Sequence, residues 1–119
     1  MTPETMKKAA VAALEDIKAS DITVLNVKKL TSMTDYMIIA CGESSRQVKA
    51  LARNVADKLR EAGAEVVGVE GEDSGEWVLV DLGHVIVHVM HPAVREYYNL
   101  EELWTAPKTV RKKAAAKET

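Results

Sequence analysis

Between residues 4 and 19, apolar side chains stand at Met6, Ala9, Ala10, Ala13, Leu14 and Ile17. That spacing draws one apolar stripe along a helix. Thr2 or Thr5 is placed to cap its start, and Ser20-Asp21 closes it. Ile22, Val24 and Val27 predict a strand with partial alternation, and residues 30–34 form a polar connection. Residues 35–41, DYMIIAC, are an apolar run of strand length, which predicts a central strand covered on both faces.

Gly42-Glu43-Ser44-Ser45 breaks that run and opens a second helix, with Ser44 or Ser45 as its cap. Val48, Leu51, Ala52, Val55 and Leu59 make its apolar face, and Gly63 follows as its stop. Residues 65–70, EVVGVE, predict a third strand, and residues 71–75 a turn. Trp77–Asp81 and Val85–Met90 read as strands joined tightly at Leu82-Gly83-His84, a hairpin. Trp77, Leu79 and Asp81 then share one sheet face, and Val78 and Val80 the other. Pro92 suits the first position of a short helix running to Tyr98. Asn99 interrupts it, and Leu100, Leu103 and Trp104 form a last turn. The order αββαβββα predicts an α/β (α+β) sandwich: a mixed sheet of about five strands with helices packed on it.

Composition adds boundaries to this outline. A chain of 119 residues suits one domain with one modest core. There is no apolar run of about 18 residues, so no membrane span is expected. The first residues, MTPETMKKAAVAAL, are too polar for a signal peptide. The single Cys41 has no internal disulfide partner, which fits a reducing cytoplasm. Charge is unevenly spread. From Pro107 onward there are five basic residues and one acidic, while residues 1–106 hold 11 basic and 17 acidic groups. The expected organisation is a single domain over residues 1–106 and a basic, disordered tail over 107–119. Such a tail either solubilises the chain or touches nucleic acid.

Candidate chemistry is sparse. His84 and His88 lie on one side of a strand but roughly 13 Å apart at about 3.3 Å per residue, too far for one metal ion. His91 has the opposite parity to His88, and no HExxH or EF-hand pattern is present. Gly42, Ser44 and Ser45 sit where a helix N-terminus presents free N–H groups, a possible anion site. A magnesium-dependent nucleotidyltransferase would place a Gly-Ser turn there, with paired carboxylates on the next strand. Residues 65–70 carry no Asp-x-Asp. That rival is left with Ser44 or Ser45 beside Glu70 or Asp35. Cys41 continues an apolar strand and reads as a small buried hydrophobe. No cofactor is called for.

The weight therefore shifts to a binding protein. Trp77, Tyr97, Tyr98 and Trp104 are four of the five aromatic residues, and there is no Phe. Trp, Tyr and Arg are the residue types that dominate interface hot spots. Tyr97 and Tyr98 diverge by about 100° around a helix, so they cannot both face the core, and one is exposed or at a contact. Leu100 and Trp104 either fold back as a core plug or join the same interface.

An ordered set of segments carries a resemblance: TDYMIIA at 34–40, Gly42, SSRQVKA at 44–50, Glu70-Gly71, GEWVLVD at 75–81, VHV at 87–89, and Arg95 with YYNLE at 97–101 and Leu103-Trp104. Together they resemble the ribosomal silencing factor family, also called Iojap-like, over residues 4–104. The resemblance implies a nucleotidyltransferase-like fold without the catalytic carboxylates, and no enzyme. It implies binding to the large ribosomal subunit at its intersubunit face, on the ribosomal protein numbered fourteen. The small subunit is then sterically kept from joining, and translation falls in starvation or stationary phase. A homodimer is implied when the protein is free, and a role in ribosome assembly is known among organellar relatives. An RNA-binding assembly factor is the alternative within that setting, against which the low basic content of the body argues. The resemblance assigns Trp77, Asp81, His88, Arg95, Tyr97, Tyr98, Asn99, Leu100 and Trp104 to the ribosomal-protein or dimer contact. The tail contacts rRNA if it contacts anything. The family often carries an aromatic where Met37 and Met90 stand.

Overall fold

A computed structural model describes residues 1–99; Leu100, Trp104 and the basic tail lie outside the described residues. Helix α1 spans Pro3–Asp16, and Thr2 caps it by accepting the Thr5 N–H at 3.1 Å. It stops short of the expected Ser20-Asp21. Lys18 turns into the left-handed region (φ 61°), which returns the Ala19 N–H to the Leu14 carbonyl and spends that helix-end acceptor. Strand β1, Ser20–Asn26, begins there and is irregular between Ser20 and Thr23, around Asp21 at φ 51°.

Strand β2, Tyr36–Cys41, is buried at every position, as its unbroken apolar run predicts. Gly42 follows because the strand runs straight into a helix. A Cβ at Gly42 would stand 2.9 Å from Val48 Cγ2 and 3.0 Å from the Val48 amide nitrogen. Helix α2, Ser45–Glu61, is capped by Ser44 and buries Val48, Leu51, Ala52, Val55, Ala56 and Leu59. Strand β3 is only Gly68–Glu70, shorter than the expected 65–70. Val67 stays 63% exposed there, touching the sheet by one bond to the Asp81 carbonyl. Strands β4, Trp77–Asp81, and β5, Val85–Met90, form the expected hairpin. Asp81 Oδ1 accepts the Gly83 N–H at 2.8 Å, and Gly83 supplies the positive φ. Helix α3, Pro92–Tyr98, ends at Asn99 in the left-handed conformation.

The strands form one sheet in the order β1-β2-β5-β4-β3. Only β2 and β5 run parallel; the other pairings are antiparallel. Its two faces differ. One carries Ile38, Ala40, Val78, Val80, Val85, Val87 and Val89 beneath α1 and α2, and this is the main core. The other carries a smaller cluster of Leu25, Val27, Met37, Ile39 and Met90, against which Trp77 and Val94 of α3 pack. Met37 and Met90 fill this second cluster with flexible, unbranched side chains. Helix α3 has no fully buried residue: Val94 rests on the cluster, while Tyr97 and Tyr98 remain exposed. Among the described residues no helix is long and apolar enough to cross a membrane.

Candidate protein-binding face

The second sheet face supports a rising series of rings. His88, at mid-strand in β5, is buried between Leu79 on β4 and Ile39 on β2 by register. Its Nδ1 accepts the Trp77 Nε1–H at 2.9 Å, with ring centroids 5.9 Å apart. An acceptor Nδ1 requires the neutral ring with its proton on Nε2. Burial favours the same state, pushing the His88 pKa down to about 4. Trp77 then meets Tyr98 at 4.9 Å, and Tyr98 meets Tyr97 edge-on at 5.0 Å and 84°. Exposure climbs along the series, to 53% at Tyr98 and 81% at Tyr97. Both tyrosines face out, where the helical geometry alone required only one. The reason is that Val94 and Arg95 supply the side of α3 that meets the sheet, which leaves both rings outside it.

Arg95 anchors α3 rather than reaching outward. Its guanidinium donates to the Asp21 carbonyl, to Thr23 Oγ1 at 2.7 Å and to Cys41 Sγ at 3.3 Å. It thereby ties the helix to the β1 bulge and the end of β2. Asn99 closes α3, donating its N–H to the Arg95 carbonyl at 2.8 Å. Asp81, as noted, is half-buried in the hairpin turn. Of the residues assigned to the contact, Trp77, His88, Tyr97 and Tyr98 form one contiguous series. Arg95 and Asn99 position α3, and Asp81 sits at the opposite end of β4 from Trp77.

The turn at Gly42, Ser44 and Ser45 is largely occupied with its own bonding. Ser44 Oγ accepts the Gln47 N–H at 3.1 Å, and Gln47 Oε1 accepts the Glu43 N–H at 2.7 Å. Gln47 Nε2 also donates to the carbonyls of Ile17 and Lys18, pinning the end of α1. The carboxylates a nucleotidyltransferase needs are elsewhere. Asp35 precedes β2 at the strand end opposite Gly42 and pairs with His84 at 3.2 Å. Glu70 lies on β3, three strands away from β2, or roughly 14 Å at about 4.8 Å per strand. The three histidines likewise do three separate things: His84 meets Asp35, His88 meets Trp77, and His91 caps α3 by accepting the Ala93 N–H. Among the described residues no group of His, Cys, Asp or Glu is placed to hold a metal ion.

The family model described as "Ribosomal silencing factor during starvation" matches residues 1–119. The chain belongs to the ribosomal silencing factor family. It is 57% identical over 108 residues to the ribosomal silencing factor of Chromobacterium violaceum, covering 91% of this chain and 88% of that one. It is 45% identical over 104 residues to that of Bacillus subtilis, covering 87% and 88%. A crystal structure of a Chromobacterium violaceum protein superposes with a TM-score of 0.86 at 59% identity, covering 87% of each chain.

The ring series of this ribosomal silencing factor family member extends beyond what the aromatic count suggests. Leu79 and Ile86 are half-buried on the same face as Trp77 and His88. Strand parity was the available signal for them, since Leu79 shares the parity of Trp77 and Ile86 that of His88. The bond between Trp77 and His88 had no such signal, because it depends on how β4 and β5 align.

Proposed function

We propose that this protein silences ribosomes by binding the large ribosomal subunit at its intersubunit face, on the ribosomal protein numbered fourteen. The bound body occupies space the small subunit needs, so subunits fail to join and translation falls in starvation or stationary phase. The single observation that carries this reading is the His88–Trp77–Tyr98–Tyr97 series, which is ordered at its base and exposed at its tip. A pre-ordered aromatic anchor loses little conformational freedom on binding, which is what makes such residues hot spots. Steric exclusion needs no catalytic group. The protein acts in the cytoplasm and is a homodimer when free, and its basic tail either solubilises it or touches rRNA.

The test is co-sedimentation of the purified chain with separated large and small subunits, followed by re-association on a sucrose gradient. The expected result is binding to the large subunit alone and loss of the joined peak. Binding to neither subunit would falsify the proposal. Heat released on titrating ATP with magnesium would point instead to the nucleotidyltransferase reading.

A further inference from the structure

A second surface lies on α2, away from the aromatic series. Arg46, Lys49, Arg53, Asp57 and Arg60 recur at intervals of three and four residues, which places them on one outward stripe. The stripe is about 21 Å long at roughly 1.5 Å per residue. Arg46, Arg53 and Arg60 are exposed, and Lys49 is half-buried with its stem running beside Gly75. Asp57 is engaged by Arg60 at 3.6 Å. Among the described residues no carboxylate comes within ion-pair distance of Arg46, Lys49 or Arg53.

This is unusual for the molecule. Residues 1–106 are net acidic, yet α2 carries five of their 11 basic groups. Arg60 suits the C-terminal end of the helix dipole and pairs with Asp57, but Arg46 in the first turn and Lys49 one turn on gain nothing from either effect. Beside the stripe a cavity of about 480 Å³ opens between α2 and the edge strand β3, lined by Arg53, Arg60, Val67 and Gly68 and also by the carboxylates Asp57 and Glu72. Two arginines line this cleft, Arg53 without an ion-pair partner among the described residues and Arg60 paired to Asp57. A guanidinium without a carboxylate partner is the group that forks onto phosphate oxygens. No aromatic ring lines it, which excludes base stacking and leaves contact with the sugar–phosphate backbone.

We infer that the outward stripe of α2, with the adjoining α2–β3 cleft, holds backbone phosphates of ribosomal RNA when the protein sits on the large subunit. The inference rests on the ribosome-binding reading above. The stripe lies along the β3 edge of the sheet and reaches the turn before Trp77. Helix α2 covers the sheet face opposite the aromatic series, so the stripe meets RNA on one side of the protein while the rings hold the protein partner on the other. The contact is independent of RNA sequence and strengthens binding as salt falls.

The experiment compares the full chain with the triple variant Arg46→Gln, Lys49→Gln, Arg53→Gln, and with Lys58→Gln, which removes a cation from α2 outside the stripe. Large-subunit affinity is measured from low to high salt. Losing three phosphate contacts reduces the slope of log K against log salt by about 2 to 3. The triple variant is expected to show that reduction, and Lys58→Gln is not. A benzophenone cross-linker in place of Asp57 is expected to label rRNA. An unchanged slope in a folded triple variant overturns the inference, as does labelling of protein alone or of nothing. Failure of the unaltered chain to bind large subunits sinks the ribosome reading itself, and this inference with it.

Discussion

Acid is expected to destabilise this protein through His88, before the carboxylates are reached. The ring is buried, accepts from Trp77 and has its pKa pushed down to about 4, against 6.5 for an unburied histidine. In that window the unfolded chain binds a proton that the native chain refuses. Stability is therefore complete above about pH 6.5 and is lost as pH falls toward 4. The full shift corresponds to about 3 kcal/mol, of which about 2 kcal/mol is already gone at pH 5. Against a total of roughly 5–15 kcal/mol for a domain of this kind, that is a large fraction. Protonation also fills the nitrogen that accepts the Trp77 N–H, so the indole loses its anchor as charge appears. The assay is urea unfolding at pH 7.5, 6 and 5 for the unaltered chain and for His88→Gln. Glutamine keeps a hydrogen-bond acceptor and never ionises. His84 and His91 remain in both chains, so the difference isolates His88. The variant is expected to lose about 2 kcal/mol less than the unaltered chain between pH 7.5 and 5. An NMR titration of the His88 ring with a midpoint near 6.5, or identical pH slopes for the two chains, would refute the reasoning from burial.

Tyr97→Ala removes a ring that is 81% exposed. It is expected to leave unfolding unchanged within about 0.5 kcal/mol while weakening large-subunit binding by at least about 1 kcal/mol; a loss of cooperative unfolding would instead make Tyr97 part of the fold. Ile39→Ala removes a fully buried side chain from the second cluster and is expected to cost about 2–5 kcal/mol of stability in denaturant titration. Gly71→Ala and Gly63→Ala separate crowding from backbone strain. Both glycines have positive φ, but a Cβ at Gly71 stands 2.2 Å from the Trp77 carbonyl oxygen and one at Gly63 meets nothing. The Gly63 variant is expected to lose about 1–2 kcal/mol, and the Gly71 variant more, with a shift in Trp77 fluorescence. Equal losses would show that crowding at Gly71 relaxes freely.

Most element positions were legible in the chain because they are set by local burial. The stripe from Met6 to Leu14, the unbroken run of β2 and the five apolar positions of α2 each repeat at the period of the element they form, and each is buried as the pattern requires. The hairpin and the Asn99 stop were legible because few residues tolerate those backbone conformations. Ends were less so. Helix α1 terminates early because Lys18 and Ala19 find carbonyl partners, and β3 is short because pairing with β4 stops at Gly68.

The site was readable as a set of residue types but not as an arrangement. Parity put Trp77 on a different face from the valines, and the aromatic count pointed to residues 77–104. Nothing in one dimension announced that β5 would lie parallel to β2 and set His88 between Ile39 and Leu79. Nor could it show Arg95 crossing 74 positions to Asp21 and 54 to Cys41, which makes it an anchor of α3. The periodic pattern carries which side of an element is apolar, because that is decided within a few residues. Which apolar sides meet is decided by strand order and register, through contacts between residues far apart in the chain, and those alone turn four scattered rings into one ordered series.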